Sequence, residues 1–309
     1  MGKGLRLSRR AFLRLGVLGA LGVAAGRGFV NSRRLALEDV SVDLARLPAA
    51  FDGFTIGQIT DIHAGPLVPA RLIEEGVDLV LSRRPDLIVL TGDFVSGATR
   101  ILRTTYGGFR QRHLDACMTA LSRLKAPFGV FAVLGNHDFW SGPAVTEQIV
   151  RRLKAIGVRV LRNERAVLET RGARVSLVGV DDYWEPTYDL MRALKQAPGE
   201  ECRILLSHNP DVNQDIDLFR EPVDLVVAGH THGGQIVLPL VGAPYLPSPF
   251  GQKYRAGVIP DGNRRTYVSR GLGLFFVPIR LNCPADVSLL TLRRGVRARS
   301  TRRSASAGA

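Results

Sequence analysis

Short runs of β-branched and aliphatic residues alternate with amphipathic segments along most of this chain, and this alternation constrains its fold more than any other feature. From residue 54 onward the runs predict strands and the segments between them predict helices. Such alternation indicates an α/β fold with layered sheets. The predicted strands are Phe54–Thr60, Leu87–Thr91, Gly129–Leu134, Val158–Leu161, Val175–Val180, Ile204–Ser207, Leu225–Ala228, Thr266–Ser269 and Val287–Leu292. The predicted helices are Ala70–Ser82, Leu114–Leu124, Ala144–Ile156 and Tyr188–Ala197.

Two stretches lack a clear period. Residues 96–112 form a basic, glycine-containing insertion, and residues 237–257 are rich in proline, glycine and aromatic side chains. Both are expected to be long loops, which inside a compact domain are more often functional than accidental.

Polar residues follow five of the predicted strands at the point where each strand ends. Because ligands bind at the carboxyl ends of strands in α/β sheets, these residues are candidates for one shared site. They are Asp61 and His63, Asp93, the run Asn136-His137-Asp138, His208, and the pair His230 and His232.

Histidine usage supports a site. The chain has six histidines, five of which lie in these motifs, while His113 stands apart and is expected to be an ordinary surface residue. One such histidine would more often be a satisfied core residue than a ligand. Five of them, together with carboxylates and an amide, are hard to explain structurally, because each unpaired buried polar group costs about 1–3 kcal/mol.

The donor types restrict the metal. Imidazole, carboxylate and amide groups without a thiolate suit Mn, Fe or Zn, with Ni and Co also compatible. There are too many donors for one tetrahedral ion, so the pattern predicts two divalent or trivalent ions that share a bridging carboxylate. Two ions about 3.5–4 Å apart stabilise the attacking and leaving oxygens of phosphoryl displacement.

The order of these motifs resembles the calcineurin-like metallophosphoesterase superfamily. Its pattern Asp-x-His, Gly-Asp, Gly-Asn-His-Asp/Glu, His, Gly-His-x-His is matched over residues 61–232, with no ligand missing. The resemblance implies a metal-dependent phosphoric ester hydrolase that cleaves phosphodiester bonds. It also implies a four-layer α/β/β/α sandwich of two mixed β-sheets flanked by helices, here assigned to residues 35–292.

Residue roles are carried over from the resemblance. One ion would be held by Asp61, His63, Asp93 and His232, and the other by Asp93, Asn136, His208 and His230. His137 would face the substrate and stabilise or protonate the leaving oxygen, while Asp138 would orient the imidazole of His137. A hydroxide that bridges the two ions would attack phosphorus, since coordination lowers the pKa of water to about 7 in favourable sites.

The net charge of +14 comes from the two ends of the chain. Residues 1–34 hold eight Lys or Arg and residues 293–309 hold six, with no acid in either segment, so residues 35–292 are neutral. A nucleic-acid-binding face is therefore not expected, because phosphate attraction needs charge on the docking surface. Residues 293–309 are expected to form a basic disordered tail.

The N-terminus predicts export. The order Ser8-Arg9-Arg10-Ala11-Phe12-Leu13, followed by an apolar run at residues 15–26, is similar to a twin-arginine signal peptide, assigned to residues 1–30. The twin-arginine translocation machinery is then a partner and the protein is extracytoplasmic. An uncleaved signal acting as an anchor stays open, as does a membrane or cell-wall surface as a partner.

Several functional alternatives stay open. The substrate could be a phosphomonoester, or the enzyme could be a phosphatase or pyrophosphatase acting on a lipid-linked substrate. A non-catalytic metal-binding scaffold of the same fold is a further alternative. A metallo-β-lactamase type of site would need an aspartate soon after His-x-His, where Gly233 and Gly234 stand instead. Trp140 and Trp184 could stack on a substrate, although packing in a lid is favoured.

Overall fold

The computed structural model describes residues 34–101, 104–275 and 277–295. Residues 1–30, predicted to be a signal, and most of the predicted tail lie outside this part. The strands are β1 Leu35–Leu44, β2 Thr55–Ile59, β3 Leu87–Thr91, β4 Ala98–Ile101, β5 Thr104–Gly107, β6 Val130–Val133, β7 Arg159–Val160, β8 Glu164–Thr170, β9 Ala173–Gly179, β10 Cys202–Leu206, β11 Leu225–Ala228, β12 Gly257–Asp261, β13 Arg264–Val268 and β14 Ala285–Arg294. The helices are α1 Ala70–Ser82, α2 Gln111–Leu121, α3 Asn136–Trp140, α4 Pro143–Ala155, α5 Leu190–Lys195 and α6 Asn213–Phe219.

Twelve of the strands form two six-stranded sheets, in the orders β1-β14-β2-β3-β6-β7 and β12-β13-β11-β10-β9-β8. In the first sheet β2, β3, β6 and β7 are parallel and β14 runs antiparallel to β2. In the second sheet β9, β10, β11 and β13 are parallel, and β8 and β12 are antiparallel edge strands. Both sheets are therefore mixed.

Three apolar clusters define the layers. One cluster lies between the two sheets and joins side chains such as Ile56, Val89, Leu177 and Val227. A second packs the first sheet against α1, α2 and α4, and a third packs the second sheet against α5 and α6. The predicted four-layer α/β/β/α sandwich is confirmed.

The structure differs from the predictions in a few elements. The insertion at residues 96–112 is not a plain loop, because β4 and β5 pair in it as an antiparallel hairpin. The edge strands β1 and β8 were not predicted; their polar residues, such as Glu38 and Asp43, conceal the alternation of a half-buried strand. The last strand continues to Arg294, two residues past the predicted boundary.

No helix in the described ranges is both long enough and apolar enough to span a bilayer. Cys117, Cys202 and Cys283 are free and buried.

Candidate metal centre

The predicted ligands lie at one edge of the sandwich, where loops follow parallel strands of both sheets. Asp61 and His63 follow β2, Asp93 follows β3, and Asn136 opens α3 after β6. His208 follows β10, and His230 and His232 follow β11. The loops after β2 and β3 are joined by backbone hydrogen bonds, including His63 N–H to the Asp93 carbonyl at 2.9 Å.

One pair of imidazoles meets beside Asp61. Nε2 of His63 and Nε2 of His232 are 3.0 Å apart, and Oδ1 of Asp61 is 3.3 Å from the latter nitrogen. All three side chains are buried, and one donor atom from each lies within 4.8 Å of the others. Donors bound to one ion at about 2.0–2.2 Å lie roughly 3 Å apart, so this spacing suits a shared cation.

A second pair of imidazoles is formed by His208 and His230. Nε2 of His208 lies 3.2 Å from Nδ1 of His230. The opposite nitrogen of each ring faces a carbonyl, that of Thr91 at 2.8 Å for His208 and that of Pro247 at 3.0 Å for His230. A nitrogen beside a carbonyl must carry a proton to donate, so neutral rings turn two unprotonated nitrogens toward each other. A metal cation fits between them.

The carboxylate of Asp93 lies between the two imidazole pairs. Its Oδ2 is 3.3 Å from Nε2 of His63 and 3.2 Å from Nε2 of His208. Its Oδ1 accepts a hydrogen bond from the backbone N–H of His137 at 2.9 Å. Within the described residues, no lysine or arginine pairs with this carboxylate, and its basic neighbours are histidines.

Burial keeps most of these rings neutral. It lowers the pKa of His63 and of His230 to about 3 and the pKa of His232 well below its ordinary value. Burial alone would lower the pKa of His208, but attraction to Asp93, Asp61 and Asp182 raises this pKa well above the ordinary value. Neutral imidazole is the form that binds metal, and a cation beside His208 would displace its proton.

The pKa values of the two carboxyl groups, Asp93 and Asp61, are shifted in opposite directions. Burial opposes ionisation of Asp93, yet His208 and His137 hold its pKa well below the usual range. Burial raises the pKa of Asp61 to about 6, with the charge of Asp93 adding to the effect and His208 opposing it. A bound dication would favour the ionised form of both groups.

Asn136 offers a direct test of fit. Its side chain is buried, and its Oδ1 has no hydrogen-bond partner among the described residues. An unpartnered buried amide oxygen costs about 1–3 kcal/mol unless something compensates for it. A metal ion is the partner that oxygen lacks, so the residues present fit a metal centre.

The structure changes the interpretation of Asp138. Its carboxylate accepts backbone N–H bonds from Asp93 and Phe94 at 2.9 Å and from Gly135 at 3.0 Å. It does not hold the imidazole of His137, whose Nδ1 has no partner within the described ranges. The expectation that Asp138 orients the ring is therefore wrong: Asp138 fixes the loop that carries Asp93.

Backbone strain is concentrated at the ligands. Asp61, His63, Asp93, His230 and His232 all have positive φ, between 47° and 70°. Non-glycine residues avoid this region at a cost of about 1–3 kcal/mol each, so it persists where the surrounding structure enforces it. Sequence patterns carry no sign of this strain.

Two glycines allow the loops to approach each other. A Cβ at Gly135 would lie 2.3 Å from Oδ1 of Asp93, and a Cβ at Gly229 would lie 2.2 Å from Oδ2 of Asp61. Any side chain at either position would displace a carboxylate of the centre.

Two charged residues near the centre were not identified from the sequence as members of the site. Asp182 is buried, burial raises its pKa to about 7, and its Oδ2 has no partner among the described residues. Arg280 is buried, approaches Nδ1 of His232 at 3.5 Å, and donates to the carbonyls of Gly271 at 3.0 Å and Gly273 at 2.7 Å. Arg280 stands alone in an apolar segment and gives little sequence signal, whereas Asp182 follows the predicted strand Val175–Val180 and carries the same strand-end signal as the ligands.

The two tryptophans of the chain lie at the mouth of the centre. Trp140 and Trp184 are about half exposed and stack with ring planes 9° apart. The ring of Trp184 also meets His230 edge-on at 4.5 Å, and Trp140 contacts the ring of His137 at 5.2 Å. His113, by contrast, contacts Arg112 on α2 and takes no part in the centre.

Comparisons with known proteins agree with this geometry. The profile of the calcineurin-like phosphoesterase family matches residues 54–234. The metallophosphoesterase YkuE of Bacillus subtilis is 32% identical over 93% of this chain and 98% of its own length. The phosphodiesterase YaeI of Escherichia coli is 33% identical over 93% of this chain and 99% of its own length. A metallophosphoesterase of Aquifex aeolicus is 30% identical over 84% and 92%, respectively. The chain therefore belongs to the calcineurin-like phosphoesterase family of metal-dependent phosphoric ester hydrolases.

Proposed function

We propose that this chain is a two-metal phosphodiesterase that acts outside the cytoplasmic membrane. The observation that carries the proposal is the position of Asp93, whose Oδ2 lies about equally far from one ring of each imidazole pair. A carboxylate so placed can bridge two cations.

The ligand sets follow from the two pairs. Asp61, His63, Asp93 and His232 would hold one ion, and Asp93, Asn136, His208 and His230 the other. Such ions would lower the pKa of a water toward neutrality and offset the charge of the phosphoryl oxygens. The donors suit Mn, Fe or Zn, with Ni or Co compatible.

His137 would act on the leaving group. Its ring lies at the mouth beside Trp140, and its backbone is held by Asp93 Oδ1 and by the Ser141 hydroxyl, which donates to the His137 carbonyl at 2.8 Å. Its Nδ1 is buried and has no hydrogen-bond partner among the described residues. Burial lowers the pKa of His137, and an anionic phosphoester beside the ring would act in the opposite direction.

The location rests on the sequence of residues 1–34, which has the basic segment and apolar run of a twin-arginine signal. The translocation machinery would carry the protein already folded, so metal could be loaded in the cytoplasm before export.

Hydrolysis of bis-p-nitrophenyl phosphate with added Mn²⁺ tests the reaction, with mono-p-nitrophenyl phosphate and a β-lactam as comparison substrates. We expect turnover of the diester, a smaller rate with the monoester and none with the β-lactam. Two bound ions per chain without turnover of any phosphoester would contradict the proposal and favour a non-catalytic scaffold.

A further inference from the structure

An apolar hairpin projects from the chain between residues 237 and 243. Leu238 and Gly242 exchange backbone hydrogen bonds of 2.8 and 2.9 Å, which leaves Pro239, Leu240 and Val241 at the tip. The side chain of Leu240 is fully exposed, that of Val241 is 67% exposed, and Leu240 has a φ of 67°. The fold thus holds a leucine in a strained conformation and presents it to the surroundings.

The hairpin belongs to the rim of the metal centre. The carbonyl of Pro247 accepts from Nε2 of His230, and a Cβ at Gly234 would lie 2.2 Å from that of Ala243. The Gln235 amide bonds the backbone of Phe275 and Val277, and Val277 is itself exposed. Two adjacent apolar segments therefore border the opening of the site.

The segment that carries the hairpin is basic. Residues 234–260 contain no aspartate or glutamate, whereas Lys253 and Arg255 lie within this segment. Tyr245 is 61% exposed in the same segment, and half-exposed Trp140 and Trp184 lie across the opening. Apolar tips with aromatic and basic neighbours suit the boundary between water and an anionic bilayer.

The strand register places the start of β1 at this same edge. Leu35 pairs with Ala285 in β14, and Ser288 of β14 pairs with Gln58 of β2. Since β14 and β2 are antiparallel, Ala285 and Leu35 are level with Asp61. Residues 27–34 can span at most about 29 Å, which limits how far the apolar run at 15–26 can lie from Leu35. Strand β14 ends with Arg294 at the opposite edge.

We infer that the hairpin at residues 237–243 inserts into the surface of an anionic lipid bilayer and turns the mouth of the metal centre toward the membrane. Insofar as the proposed phosphodiesterase function holds, the substrate class is then an amphiphilic phosphoester embedded in that bilayer. Insertion removes Leu240 and Val241 from water, which favours docking.

The test places an environment-sensitive fluorophore on the full-length chain. The native cysteines are buried, so Leu240→Cys can be labelled selectively. The matched control is Leu218→Cys, which is 73% exposed on α6 at the opposite edge, beside the Asp217–Arg264 ion pair. With vesicles of phosphatidylcholine and phosphatidylglycerol, we expect the label at 240 to shift to the blue and brighten about twofold or more, and the label at 218 to stay unchanged.

A second readout uses the tryptophans, since both lie at the rim. Brominated lipids should quench the tryptophan fluorescence of the wild type and of Leu218→Asp to the same extent. They should quench that of Leu240→Asp several-fold less. The inference is overturned if the label at 240 does not respond to vesicles, or if the labels at 240 and 218 respond equally. It is also overturned if the only effect of Leu240→Asp is to dissociate a dimer. Hydrolysis of soluble bis-p-nitrophenyl phosphate is measured on the same samples. Insertion without hydrolysis refutes the phosphodiesterase proposal alone, and hydrolysis without insertion refutes docking alone.

Discussion

The two ends of strand β11 treat buried charge in opposite ways. At its start, Asp224 accepts from Arg46 at 2.7 and 2.6 Å and from the backbone N–H of Arg203 at 2.8 Å. Beyond its other end, at the metal centre, the equally buried Asp93 has histidines beside its carboxylate and no lysine or arginine partner among the described residues.

The difference separates structural charge from functional charge. At the far edge, where Asp224 lies, the buried carboxylate is neutralised within the chain, because Arg46 pairs with it. The near edge combines strained ligands, facing ring nitrogens and an orphaned amide oxygen, and so it is complete only when cations are added.

The largest effect should come from replacing the bridging carboxylate. Asp93→Asn is expected to lower kcat on bis-p-nitrophenyl phosphate by about 10³-fold or more, because both ions lose a shared ligand. Metal content measured by mass spectrometry should fall below two ions per chain. Unchanged turnover with two ions bound would show that Asp93 is not a functional charge, and the contrast with Asp224 would be wrong.

Removing the imidazole of His137 should separate chemistry from metal binding. His137→Ala is expected to lower kcat by about 10²-fold while both ions are retained, since the ring assists the leaving group only. The control is His113→Ala, which lies away from the centre and should behave as wild type. Loss of metal from the His137 variant would contradict its assigned role.

Replacing Asp224 at the far edge should change the stability of the protein and leave its activity unchanged. Asp224→Asn is expected to lower the free energy of unfolding by about 2 kcal/mol, because it leaves the partly buried Arg46 without its charge partner. Urea denaturation measures the loss, and kcat of the folded fraction should stay unchanged. A loss of turnover as large as that of Asp93→Asn would show that Asp224 is also needed for activity, which contradicts its structural role.

The smallest effect is a pH-dependent change in stability, and it concerns the adjacent carboxyl groups of Asp181 and Asp182. Burial raises the pKa of Asp182 to about 7 from 3.8, so its contribution to stability is present below pH 3.8 and lost as pH rises through 7. In EDTA, Asp182→Asn should therefore be more stable than wild type at pH 8, by roughly 2 kcal/mol, and similar at pH 4.

Asp181 supplies the matched control, because Arg162 binds its carboxylate at 2.9 and 2.8 Å. Asp181→Asn should be less stable than wild type at pH 8 in the same urea titration. The same direction of change in both variants would show that the orphaned oxygen of Asp182 has no energetic cost.

Local pattern was enough to predict the elements whose residues repeat with a strong period. The bounds of α1 and β3 agree with the prediction, because a wide apolar face and an unbroken apolar run each leave one interpretation. Strand β1 escaped prediction because its pairing with β14 joins residues about 250 positions apart, and its polar side chains disguise the period.

At the centre, the sequence indicated which side chains would meet, and the structure brings them together; their roles stay predictions. It could not indicate the left-handed backbone at Asp61 or the true contacts of Asp138, since both depend on how separate loops close on one another. The burial of Arg280 was hidden for the same reason.

Anomalous diffraction from crystals grown with Mn²⁺ tests the central claim most directly. Our account predicts two peaks about 3.5–4 Å apart, one beside His63 and His232 and one beside His208 and His230, with Asp93 bound to both. A single peak, or two ions of which Asp93 touches only one, would contradict it.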